Sequence, residues 1–195
     1  MATAIIGGGV AGLTAAYELS KRGHEVTLYE AAPGLGGQAG TFEVEGARLE
    51  RFYHHLFTAD LDMIGLVEQI GLRDRMLWVQ PKMGLYHRGR VHEFGTPQSL
   101  LAFPHLSLPA KVRFGLATLF LMKFNRYQQF EGVAAWDWLR KVVGRQAFDV
   151  VWGPMLEAKF SAFAHDASMV WFWAKIALRG ASRSSGKEQL GYFNL

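Results

Sequence analysis

Three consecutive glycines, Gly7-Gly8-Gly9, stand at the end of the apolar run Ala4-Ile5-Ile6 and lead into Val10-Ala11-Gly12 and a helix-forming segment to Arg22. No other stretch constrains the fold as much. Glycine tolerates left-handed backbone and leaves no side chain in the way of a neighbouring group. Gly23 stops the helix, a second strand runs from Glu25 to Tyr29, and Glu30 stands at its carboxyl end, eighteen positions beyond Gly12. Strand, glycine turn, helix, strand and terminal acid together form the pattern of a dinucleotide-binding βαβ unit.

Each position has a physical reason. Gly7 permits the tight turn off the strand, Gly9 leaves room for a pyrophosphate, and Gly12 lets the helix pack closely on the sheet. Phosphates there meet free backbone N–H groups and the positive end of the helix dipole, so no basic side chain is needed. The Glu30 carboxylate can accept both hydroxyls of an adenosine ribose, and its charge repels a 2′-phosphate. FAD or NAD is therefore expected rather than NADP.

After Glu30 comes Ala31-Ala32-Pro33-Gly34-Leu35-Gly36-Gly37, then Gln38-Ala39-Gly40, a loop whose paired glycines again allow close backbone approach, from the other side of the pyrophosphate. The combination of GxGxxG, an acidic strand end and a following glycine pair resembles the FAD-binding half of the large flavoprotein group containing amine oxidases, protoporphyrinogen oxidases and phytoene desaturases. This resemblance implies FAD rather than NAD. The amine oxidases proper commonly carry an arginine in the loop before the glycine pair. None stands between Ala31 and Leu35, which directs the resemblance to the protoporphyrinogen-oxidase and phytoene-desaturase branch. The expected cofactor-facing positions are Gly7, Gly8, Gly9, Val10, Ala11, Gly12, Glu30, Ala31, Gly36, Gly37 and Gln38. The resemblance also implies that the segment after the next hairpin passes near the flavin ring, which makes Tyr53, His54 and His55 candidates for lining the redox site; simple packing is the other reading of these three.

Downstream, Thr41–Val44 and Ala47–Leu49 flank Glu45-Gly46 as a hairpin, and Leu61 to Ile70 has helical spacing ended by Gly71. Short strands follow at Met76–Gln80, Gly84–His87 and Arg90–Phe94, and Thr96-Pro97 opens a short helix to Phe103. Helical segments are expected at Lys111–Arg126, Val133–Val143, Arg145–Phe160 and Ala167–Leu178, with Asp166 as the N-cap of the last. The basic tail Arg179–Lys187 reads as a mobile loop. The expected architecture is an α/β, Rossmann-like FAD-binding domain, incomplete, over residues 1–75, followed by an α+β, mostly helical substrate domain over 76–195. Aromatic residues such as Trp136, Trp152, Trp171, Phe172 and Trp173 form either that domain's core or an apolar substrate pocket.

Segment 111–126 has nine consecutive uncharged residues, Phe114–Met122, bracketed by Lys111, Arg113, Lys123 and Arg126. A spanning helix needs about 20 apolar residues. The stretch is thus a buried helix or a monotopic membrane patch through which an apolar substrate enters. No HxH or HExxH spacing suggests a metal, and no GxSxG suggests a hydrolase. Half of the residues are hydrophobic, cysteine is absent, and 21 basic residues stand against 17 acidic ones without clustering. Nucleic-acid binding, thiolate chemistry and a disulfide framework are not expected. The N-terminus lacks the basic region of a signal peptide, so a cytoplasmic protein is expected, in peripheral contact with a membrane if the patch reading holds.

Only two strands of a doubly wound sheet precede the second domain. In the group resembled, the chain later returns to complete sheet and flavin pocket, so an interruption at Gly191–Leu195 and weak or absent FAD binding by this chain are expected. The functional expectation is an FAD-dependent oxidoreductase moving a hydride or two electrons from an apolar or aromatic substrate. The alternatives are a flavoenzyme of the UDP-galactopyranose mutase type and a non-catalytic remnant or interaction module.

Overall fold

The computed structural model describes residues 2–184 and 187–193. The chain divides into two compact units, Met1–His55 with Tyr192–Leu195, and Leu56–Gly191.

In the first unit β1 (Ala2–Ile6) passes through a glycine turn into α1 (Val10–Lys21) and returns as β2 (Glu25–Tyr29). A helical crossover is what permits parallel pairing, and β1 and β2 are parallel, in register from Ala2↔Glu25 to Ile6↔Tyr29. Gly23, with φ of 81°, closes the helix, its N–H donating to Ser20 O at 3.0 Å. A hairpin follows, β3 (Thr41–Val44) with β4 (Ala47–Glu50). Its turn residues Glu45 and Gly46 both have positive φ, 50° and 81°, the geometry that matches strand twist in two-residue hairpins.

The second unit opens with β5 (Leu56–Phe57), α2 (Leu61–Gln69) and β6 (Met76–Val79). A second hairpin, β7 (Gly84–His87) and β8 (Arg90–Glu93), turns at Arg88 and Gly89 with φ of 50° and 79°. The helices α3 (Pro97–Ala102), α4 (Leu108–Lys123), α5 (Ala135–Val143), α6 (Arg145–Ala147), α7 (Gly153–Phe160) and α8 (Met169–Ala181) make the body of the unit. Between α6 and α7, Phe148–Trp152 forms a π-helical turn, so the expected helix 145–160 is continuous but widened in its middle. Thr96 caps α3 reciprocally with Ser99, as the Thr-Pro start suggested.

The core lies among α4, α5, α7 and α8. Leu139, Leu156, Met169 and Phe172 are each at most 2 % exposed, and Trp152 stacks on Phe114 with ring centroids 5.3 Å apart. Phe172 meets Trp152 edge-on at 4.8 Å. The buried aromatics are therefore core residues, whereas Phe163 remains exposed.

The division of the chain falls between His55 and Leu56, which puts β5 and α2 in the second unit, whereas the sequence reading placed the boundary at 75/76. Two expectations are corrected. Asp166 does not cap α8. Ser168 does, its side chain accepting the Val170 N–H at 3.2 Å, because a 3₁₀ turn over Ser161–Asp166 ends two residues earlier. The tail is also ordered where it is described: α8 continues to Ala181, β9 (Arg183–Ser184) pairs antiparallel with β10 (Lys187–Glu188), and Leu190 of β11 (Leu190–Phe193) pairs with Phe57. Ser182 is fully buried and donates to Gln189 O at 2.6 Å, and Arg179 bridges Glu188 at 3.2 Å. Long-range partners, absent from any local reading, fix this segment. Ser185, Gly186, Asn194 and Leu195, which the tail and chain-end expectations include, lie outside the described residues.

Candidate functional site

The glycine turn is held by backbone bonds. Gly7, with φ of 100°, donates its N–H to Tyr29 O at 2.7 Å, and Leu13 N–H donates to Gly9 O at 2.9 Å. A Cβ added at Gly12 would lie 1.9 Å from Gly7 O, so this position is closed to any side chain. A Cβ at Gly9 would meet nothing within 4 Å. The space beside Gly9 is open, and it lies at the start of α1. Gly9 caps that helix without a side-chain bond, and no acidic residue stands in its first turn. The N–H groups and dipole at this end are thus available to an anion. Val10 and Ala11 are exposed beside it.

The second glycine pair packs against the first. Gly36, with φ of 109°, donates its N–H to Gly8 O at 2.7 Å, and Gly9 and Gly36 form an isolated parallel bridge. A Cβ at Gly37 would lie 3.1 Å from Gly9 Cα. One glycine turn therefore serves as the wall of the other, and the two motifs form one cradle, with Ala31 and Gln38 exposed on its loop. The open space at Gly9 and the absence of side chains around it fit a pyrophosphate.

Glu30 stands where the sequence puts it, at the end of β2. Its carboxylate accepts the N–H of Ala32 at 2.8 Å and that of Gly8. These bonds, that from Ala32 first, hold its pKa below the ordinary carboxylate value, so it is ionised at neutral pH. The acid is thus anchored to the glycine turn itself, a link that spacing alone did not reveal.

Of the three redox-site candidates, Tyr53 and His55 lie together, ring centroids 5.2 Å apart, and Tyr53 is largely exposed. His54 is half-buried, and its backbone N–H donates to Glu50 at 3.3 Å. The structure adds Tyr192, whose hydroxyl hydrogen-bonds that of Tyr53 and whose ring lies 6.4 Å from that of His55. Tyr192 lies 139 positions from Tyr53, so no local signal in the sequence marks it.

Parallel strands joined through a glycine turn and helix, with a second glycine pair closing the cradle, leave backbone N–H groups and open space of the kind a dinucleotide pyrophosphate takes. A profile of the flavin-containing amine oxidoreductase family matches residues 10–187, and the chain belongs to that family. It is an FAD-dependent oxidoreductase family. Among curated proteins, the chain is 31% identical to a 15-cis-phytoene desaturase from Synechococcus elongatus, over 72% of the chain and 33% of that protein. It is 28% identical to a carotenoid phi-ring synthase from Streptomyces griseus, over 72% of the chain and 31% of that protein. Among solved structures, it matches a protein assigned as a protoporphyrinogen oxidase from Exiguobacterium sp. 255-15, with TM-score 0.61, 20% identity, and coverage of 98% of this chain and 47% of that one. It also matches putrescine oxidase bound to putrescine, with TM-score 0.66, 18% identity and coverage of 97% and 46%. The chain thus spans about half the length of these solved structures and about a third of these curated relatives.

Proposed function

We propose that this chain supplies the adenosine- and pyrophosphate-gripping end, together with a helical substrate-side unit, of an FAD-dependent oxidoreductase acting on an apolar or aromatic substrate. The observation that carries the reading is the double-glycine cradle, in which Gly36 N–H meets Gly8 O at 2.7 Å and Gly9 faces open space. FAD, when bound, supplies acceptance of a hydride or two electrons from a substrate C–H bond. The backbone N–H groups of Gly9, Val10 and Ala11 would hold its pyrophosphate, and Gly36, Gly37, Ala31 and Gln38 would close over the other side. Glu30, with acceptor capacity left on both carboxylate oxygens, would take the ribose hydroxyls while keeping its bonds to the Gly8 and Ala32 N–H groups. Tyr53, His54, His55 and Tyr192 are the candidate groups for orienting substrate or holding a proton near the flavin.

The apolar substrate class draws support from α4. Its residues Leu108, Val112, Leu116, Leu119 and Phe120 are exposed, and with Trp138 and Val142 several of them line a groove of about 840 Å³. No Asp or Glu occurs between Glu93 and Glu131, while Lys111, Arg113, Lys123 and Arg126 do. An apolar stripe in an acid-free, basic surround suits the face of an anionic bilayer. Among the described residues no helix is long and apolar enough to cross a membrane, so contact would be peripheral.

The test is titration of the chain with ADP and with FAD, followed by intrinsic tryptophan and flavin fluorescence. Saturable ADP binding is expected, with FAD held only weakly, through its adenosine and pyrophosphate end, and competing for the same place. Binding of neither, in a sample that melts cooperatively, would sink the reading. Bleaching of flavin absorbance by an apolar substrate alone would then establish the direction of electron flow, and co-sedimentation with anionic liposomes at low salt would test the membrane face.

A further inference from the structure

A second cavity in the helical unit has a different character. It is an open cleft of about 600 Å³, and its polar lining is His87, Arg88, His105, Ser107, Gln146 and Asp149. Three structural devices bring these groups together. The tight β7–β8 turn places Arg88 at φ of 50° directly after His87. The connection between α3 and α4 brings up His105, and the π-helical turn carries Asp149.

Charge and donors in this cavity are unbalanced. The His105 ring lies 4.7 Å from that of His87 and 5.0 Å from that of His92, between centroids, and Arg88 adds a permanent positive charge at the rim. Against these, Asp149 is the single carboxylate of the lining. Burial first, then the charges of His87, His92 and Arg88, push the His105 pKa below its ordinary value. Desolvation disfavours the charged imidazole, and the neighbouring positive charges add to that effect. Ser107 sharpens the chemistry: its backbone N–H and its hydroxyl both donate to Gln146 Oε1, at 3.3 and 2.8 Å. A backbone N–H can only donate, so the amide oxygen of Gln146 is the atom turned to Ser107, and its NH₂ end is left as a donor. Among the described residues no group of three or more His, Cys, Asp or Glu side chains is arranged to hold a metal ion.

We propose that this cavity binds an oxyanion, the phosphate or carboxylate group of a ligand, with Arg88 as the fixed charge, the Gln146 amide as a neutral donor and the His105 imidazole, beside His87, as the group that takes up a proton on binding. Its affinity rises as pH falls, because protonating one imidazole of the cluster adds a charge-assisted donor that the bound anion stabilises. The bound anion in turn raises the pH at which His105 protonates. The oxyanion has two possible sources, a soluble phosphorylated or carboxylated molecule or a lipid headgroup. Ser107 lines this cavity and the next residue, Leu108, lines the apolar groove of α4, so an anionic head and an apolar body would find adjoining surfaces.

The experiment is histidine-resolved NMR of the whole 195-residue chain, titrated with inorganic phosphate near the ordinary imidazole pKa of about 6.5 and again about two pH units higher. Chloride at matched ionic strength is the control. A second pair of arms uses vesicles of phosphatidylglycerol and of phosphatidylcholine. Saturable shifts of the His105 and His87 ring signals with phosphate, tighter at the lower pH, are expected. Shifts only with phosphatidylglycerol vesicles would also support the site and assign the source to a lipid headgroup. Arg88 and Asp149 are exposed, so their variants should fold. Arg88→Gln should weaken binding about tenfold, the scale of one charge-assisted contact, and Asp149→Asn should strengthen it. The proposal is overturned if neither phosphate nor phosphatidylglycerol shifts the signals. It is equally overturned if chloride or phosphatidylcholine matches them, if Arg88→Gln binds as well as the parent, or if Asp149→Asn binds more weakly.

Discussion

Gly9 and Gly12 lie three positions apart, yet a methyl group added at each has a different consequence. At Gly12 it would lie 1.9 Å from the Gly7 carbonyl oxygen, a clash with backbone that cannot move without opening the turn. Gly12→Ala is expected to lower the stability of the first unit by about 1–3 kcal/mol or more, as overpacking does, measured by urea denaturation. At Gly9 a methyl meets nothing, so Gly9→Ala should melt like the parent. It should bind ADP about tenfold more weakly, because the methyl occupies the space beside the helix N-terminus. Equal ADP affinity in Gly9→Ala would remove the pyrophosphate from this position. Glu30 gives a pH signature. Its folded pKa is depressed by the Ala32 and Gly8 N–H groups, so the folded state favours the carboxylate. The resulting stability is fully present above the unfolded pKa of about 4.3 and is lost as pH falls through the lower folded value. Denaturation midpoints collected down this range should therefore fall more steeply for the parent than for Glu30→Gln, and parallel curves would show that the two bonds contribute nothing. The fingerprint glycines and Glu30 were legible in the sequence because their roles rest on backbone geometry within about 30 residues. Tyr192 was not, since it reaches Tyr53 only through the tertiary fold.

At the scale of elements, α8 depends on its first residues. Ser168 accepts the Val170 N–H and Asp166 does not cap. Ser168→Ala should therefore cost about 1 kcal/mol, while Asp166→Ala should change stability by less than about 0.5 kcal/mol, compared by thermal melts. The reverse ranking would reinstate Asp166 as the cap. Sequence reasoning placed the cap at Asp166, but Asp and Ser are comparable caps, so residue type alone does not fix where the helix starts. The 3₁₀ turn through Ser161–Asp166, with Ser161 at φ of 49°, shifts the helix start two residues on. The hairpins, by contrast, were readable from Glu45-Gly46 and Arg88-Gly89, since two-residue turns demand positive φ and glycine supplies it.

For the molecule as a whole, the two units have unequal cores. Every residue of α1 is at least partly accessible and Ile6 is 91% exposed, whereas the second unit holds a buried aromatic and aliphatic cluster. Leu139 is 1% exposed within that cluster, and Leu139→Ala should cost about 2–5 kcal/mol. Amide exchange should then accelerate in α4, α5 and α8 but not in α1 if the units open independently; uniform acceleration would show a single cooperative unit. The sequence by itself determined the glycine turn, the acid at the end of β2, both hairpins and most helices, because these follow from local torsional preference and periodicity. It also carried the motif pair that marks the family. Only the tertiary structure decided that the two glycine motifs are walls of one cradle, that the tail is held by Ser182 and Arg179, that Tyr192 joins Tyr53, and that three histidines gather beside Arg88. Those contacts join residues distant in the chain, and their energies come from packing and long-range hydrogen bonds that no local pattern encodes.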